Sequence, residues 1–116
     1  MRHHNKNKKF GRVKTQRNAL LRSLSCALIR DEKIVTTETK AKALRPLIEK
    51  MVTHAKSDTV SSRRFVNSKV ANEDLTNKLF TEIAPKYQKR NGGYTRIVKL
   101  PIRKSDASKM AQIEFV

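Results

Sequence analysis

Residues 91–116 read NGGYTRIVKLPIRKSDASKMAQIEFV. Two of the chain's three glycines, Gly92 and Gly93, stand together at the start of this stretch. They could cradle a phosphate or reverse the chain. A Walker loop needs GxxxxGK followed by Ser or Thr, and a dinucleotide fingerprint needs GxGxxG between a strand and a helix. Here a strand-like segment follows and no helix does, so the glycines read as a turn. Asn-Gly and Gly-Gly supply the φ > 0 conformations a reversal needs, and glycine also lets backbone approach a phosphate closely. Beyond the turn, YTRIVKL and MAQIEFV alternate as strands. The short polar link between them, PIRKSDASK, predicts an antiparallel hairpin. Alternation puts Tyr94 and Arg96 on one face with Val98 and Leu100, and Lys99 on the other. Arg96 is the residue expected to reach a partner from the sheet's edge.

Upstream of this hairpin the pattern is mostly helical. From Thr15, residues Leu20, Leu21, Leu24, Ala27 and Leu28 share one helical face, with Arg17, Arg22 and Ser25 off it. KIVTT (33–37) is short and β-branched and predicts a strand. Thr39 suits an N-cap for the next helix. Its stripe of Ala41, Leu44, Leu47, Ile48, Met51, Val52 and Ala55 keeps phase across Pro46, which predicts one kinked helix rather than two. Asp58 or Thr59 can cap a third helix reaching Val70, with Val60, Phe65 and Val66 apolar. Asn72 can cap a fourth, with Glu73 and Asp74 suited to its dipole, a stripe of Leu75, Leu79, Phe80 and Ile83, and an end at Pro85. The order is helix, strand, three helices, two strands. The fold class is therefore α+β, a two-layer arrangement with helices on one face of a small three-stranded sheet.

The 116 residues suit one domain, and 27 Lys and Arg against 10 Asp and Glu give a formal net charge of +17. Self-repulsion at that charge calls for a neutralising polyanion. No apolar run approaches the roughly 18 residues needed to span a bilayer, so nucleic acid is the expected partner and a membrane is not. Residues 1–30 hold nine Lys/Arg and no acid, and residues 86–104 hold seven and no acid. Two basic blocks thus flank a nearly balanced centre. Met1–Lys14 reads as a flexible basic arm, with too little apolar surface to offset its ordering entropy. Residues 15–116 form the expected single domain.

Other chemistries find little support. The start is basic and acid-free, like some organelle transit peptides, but carries only Met1 and Phe10 as large apolar groups and no secretory h-region. His3 and His4 form a poor metal chelate on an arm remote from His54. Cys26 is the single cysteine; it can form no intrachain disulfide, and beside an apolar face it behaves as a small hydrophobe. Asp106, an acid in a basic block, fits a loop salt bridge. No catalytic constellation, cofactor or small-molecule substrate is indicated. The basic clusters point elsewhere: Lys8, Lys9, Arg12, Lys14 and Arg17; Arg63 and Arg64; Lys89, Arg90, Arg96, Lys99, Arg103 and Lys104. Arg forks suit phosphate oxygens. Tyr87 and Tyr94 could stack on bases, but with only 5% aromatics recognition of folded RNA by shape and phosphate fits better.

The chain resembles the bacterial large-subunit ribosomal protein family L17. The matching segments are MRH (1–3), GR (11–12), IVTT (34–37), KAKALRP (40–46), RR (63–64), KLF (78–80), IAPKY (83–87), NGGYTRI (91–97) and MAQIE (110–114). The resemblance implies a non-enzymatic rRNA-binding protein near the polypeptide exit tunnel, with neighbouring large-subunit proteins as partners, and argues against a transit peptide. Its basic arm corresponds here to Arg2 through Arg22, which adds Arg2, His3, His4, Lys6 and Arg22 to the expected rRNA contacts. Its C-terminal signature corresponds to Arg90 through Arg96, which includes Gly92, Gly93 and Tyr94. Departures are Gln16-Arg17 where the family has His-Arg, Ser23 where it has Asn, and SDASKM (105–110) where it has GDxxPM. That last change leaves the 101–109 loop conformation open. The alternatives are a DNA-architectural or helix-turn-helix protein, favoured by the short adjacent third and fourth helices, and an RNA-processing enzyme.

Overall fold

The computed structural model describes residues 9–116. The elements are α1 (Lys14–Asp31), β1 (Lys33–Thr37), α2 (Glu38–Ala55), α3 (Val60–Val70), α4 (Glu73–Lys78), β2 (Thr95–Leu100) and β3 (Met110–Phe115). The predicted order and the α+β class both hold. The strand order is β1-β3-β2 with both pairings antiparallel, so the last strand is the central one. Ile113 of β3 faces Ile34 on one side and Ile97 on the other. This isoleucine row lies on the face covered by helices; α2 packs against all three strands and α1 against β1.

The helices begin where a side chain can satisfy a free backbone N–H. Thr59 accepts from Ser62 N at 3.1 Å and Asn72 accepts from Leu75 N at 3.1 Å. For α2 the cap is Thr37 rather than Thr39: it accepts from Lys40 N, and the strand passes directly into the helix. Thr37 is still extended, with ψ 150°, and such a residue leaves its hydroxyl free to reach back to the first turn. Helix α2 runs unbroken across Pro46. Pro46 is exposed, so the carbonyl it deprives of a partner can face water, while Ala41, Leu44, Ile48, Met51, Val52 and Ala55 stay buried in phase.

Two further expectations need correction. Ser25, placed off the apolar face of α1, is fully buried, because its hydroxyl donates to Leu21 O at 2.8 Å and so carries no unmet polar cost. The chain also does not stop being helical at Pro85. A π turn (Leu79–Ile83) and a 3₁₀ turn (Ala84–Tyr87) follow α4 directly. Pro85 has no N–H with which to continue the i−4 ladder, and just before it Ala84 N donates to Leu79 O, five residues back. The wider turn carries Leu79, Phe80, Ile83, Ala84 and Tyr87 into the core.

Candidate nucleic-acid interface

The NGGY segment is a turn. Gly92 and Gly93 both take left-handed backbone, φ 83° and 64°, with nothing within 4 Å of an added Cβ. Glycine is needed there for conformation, not for space. Tyr94 does not share the open face of Arg96. It is 2% exposed, with its ring 5.2 Å from that of Tyr87. Its hydroxyl donates to Arg90 O at 3.2 Å and receives a bond from Lys56 Nζ at 3.1 Å. Lys56 also donates to Arg90 O at 2.6 Å. The strand begins one residue later than alternation assumed, and Tyr94 enters the core because Lys56 and the Arg90 carbonyl satisfy its hydroxyl there. Lys56 caps the turn from the end of α2, and nothing in the local sequence announced that role.

Charge pairing sorts the expected contacts into two kinds. Arg96 lies directly across from Glu114 and bonds it at 3.0 Å. Arg63 bonds Asp58 at 2.7 Å, Arg103 bonds Asp106 at 3.3 Å, and Lys99 lies 3.9 Å from Glu38. Lys9, Arg12, Lys14, Arg17, Arg22, Arg64, Lys89, Arg90 and Lys104 have no carboxylate within 4 Å among the described residues. All but the half-buried Arg17 are exposed. Arg2, His3, His4, Lys6 and Lys8 lie outside the described residues, as does most of the predicted arm. Lys14 is the first residue of α1.

The C-terminal basic block does not form one cluster. Lys89, Arg90, Gly92 and Gly93 sit before β2, while Arg103 and Lys104 sit beyond its other end. A six-residue strand separates them by about 20 Å. The 101–109 loop is held by Arg103 N donating to Ser108 O and Ala107 N donating to Arg103 O, both at 2.9 Å. Ala107 takes φ 56° there. Arg22 and Lys69, remote in sequence, are brought together instead, with Arg22 Nε donating to Lys69 O at 3.3 Å.

The remaining candidates read as structural. His54 stacks on Phe65 with ring centroids 4.0 Å apart. Cys26 donates its Sγ–H to Val70 O at 3.4 Å, and burial pushes its thiol pKa up, away from a reactive thiolate. The bond from Arg63 holds the Asp58 carboxyl below the usual carboxylate range. Lys42 does the same for Glu38, and the Ser108 N–H for Asp106. Depressed folded-state pKa values add stability that is fully present above the unfolded values near pH 4 and is lost as the pH falls through the folded ones. The thermal unfolding temperature should therefore be flat from pH 7 to about 5 and fall below about 4. A melt that is insensitive down to pH 2 would show that these pairs contribute nothing.

The family model for ribosomal protein L17 matches residues 20–116. The chain belongs to the ribosomal protein L17 family. Three similar proteins, each named large ribosomal subunit protein bL17, match along the whole chain. That of Hydrogenobaculum sp. is 52% identical, with 99% of its own length covered. Those of Campylobacter lari and Campylobacter concisus are 49% and 47% identical, with 99% and 98% covered. As an L17-family member the chain is a ribosomal protein, a structural component and not an enzyme.

Proposed function

We propose that this L17-family chain is a structural constituent of the large ribosomal subunit, in the cytoplasm, and that it binds and stabilises folded rRNA near the polypeptide exit tunnel. The observation that carries the RNA reading is the division of its cations. Acidic partners hold Arg63, Arg96 and Arg103 and lie near Lys99, whereas Lys9, Arg12, Lys14, Arg17, Arg22, Arg64, Lys89, Arg90 and Lys104 meet no carboxylate among the described residues. The unneutralised groups supply phosphate contacts; the packed helices and sheet hold them at fixed separations. Tyr94 serves by anchoring the turn that carries Lys89 and Arg90. The tunnel location and neighbouring large-subunit proteins as partners rest on the family resemblance.

Binding to deproteinised large-subunit rRNA, measured across a salt series, tests this reading. Neutralising about 6–10 phosphates would lower the affinity on the order of 10³–10⁵-fold between 50 and 200 mM salt. An affinity that barely changes with salt would refute the phosphate contacts. Equal binding to duplex DNA would favour a general nucleic-acid architectural protein instead.

A further inference from the structure

Helices α3 and α4 leave between them an open groove of about 270 Å³, lined in part by Arg63, Arg64, Asn67, Glu73, Thr76 and Asn77. Arg63 is fixed across it. Its Nε and one terminal nitrogen donate to Asp58 at 2.7 and 3.4 Å, and the other terminal nitrogen donates to Asn77 Oδ1 at 3.1 Å. Its guanidinium carbon lies over the Phe80 ring, 4.6 Å from the centroid. Phe80 thus lies against one side of the cation, and Arg63 also lines the groove. A guanidinium only donates, so this contact fixes the Asn77 amide with Oδ1 toward Arg63 and leaves Nδ2 as a donor. Glu73 sits four residues earlier on the same helix face. Its carboxylate pairs with no cation among the described residues.

The groove thus combines a rigid planar cation, an amide donor and a free carboxylate, with exposed, unpaired Arg64 beside them. A bare phosphate suits it poorly, because Glu73 would repel it. A flat heterocycle with a carbonyl next to N–H groups suits it well. Bases stack on arginine planes. Guanine can offer O6 to the Asn77 amide and its two parallel donors, N1–H and N2–H, to one carboxylate. Building on the RNA-binding reading above, we propose that this groove receives one unpaired guanine of large-subunit rRNA, with Arg64 on its phosphate.

The test reconstitutes the full chain with deproteinised large-subunit rRNA. Kethoxal reports the N1/N2 edge of guanines, and hydroxyl radicals report the backbone. Asn77→Asp keeps the acceptor for Arg63 and removes the donor; Glu73→Gln removes the carboxylate charge. One guanine protected by the unaltered chain should become reactive with either variant, while the backbone footprint persists and affinity falls about tenfold. An unchanged guanine pattern, or changes confined to other bases, with the backbone footprint intact, would overturn the guanine site alone. No backbone footprint even with the unaltered chain would overturn the RNA reading beneath it.

Discussion

Removing residues 1–12 should lower affinity for large-subunit rRNA on the order of 10²–10³-fold at moderate salt while leaving the melting temperature nearly unchanged. The deleted segment contains Arg2, Lys6, Lys8, Lys9 and Arg12 and no acid. Each lost phosphate contact should reduce the salt slope by about one, so the slope should shrink by about three to five. Stability should change by no more than about 0.5 kcal/mol, because a polar, basic stretch with so few apolar side chains has little to bury on folding. Lys9 and Arg12 are exposed, and their bonds stay within residues 9–17. Val13, which accepts the first bond of α1 from Arg17 N at 2.9 Å, is retained. Filter binding and a thermal melt decide the matter together. A large drop in melting temperature would assign the segment to the folded domain, and an affinity within threefold of the full chain would remove it from the interface.

Tyr94→Ala should cost about 3–5 kcal/mol of folding stability, the usual range for truncating a buried aromatic. The ring fills space beside Tyr87, and Lys56 Nζ lies 5.3 Å from its centroid. Tyr94→Phe keeps the ring and should cost about 0.5–1.5 kcal/mol, through the lost bonds to Arg90 O and from Lys56. Tyr94→Phe should also bind rRNA as tightly as the unaltered chain. Urea denaturation of both variants provides the check. If Tyr94 instead stacked on a base, Tyr94→Ala would unfold normally and lose only affinity.

These two residue sets differ in how readable they were. Lys9, Arg12 and Lys14 stand in a run without acids, and among the described residues they meet no carboxylate, as that run suggests. Arg63 and Arg96 looked equally available in sequence. Their neutralising partners lie five residues away around a helix cap and eighteen residues away across a hairpin, and only folding brings those carboxylates within reach. Lys56 shows the same limit from the other direction. Thirty-four residues separate it from the Arg90 carbonyl it holds, and no local pattern links the two.

Element type and order were set by local physics. Periods of 3.6 and 2, the caps Thr59 and Asn72, and the glycine pair all act over a few residues, and together they suffice for an α+β chain with two basic blocks. Contacts between distant segments set the rest. They put β3 in the centre of the sheet, buried Ser25 and Tyr94, and set Lys89 and Arg90 apart from Arg103 and Lys104 by the length of β2. They also set Arg63, Asn77 and Glu73 around one groove. Burial and ion pairing depend on which surfaces meet, and that is fixed only when distant segments pack.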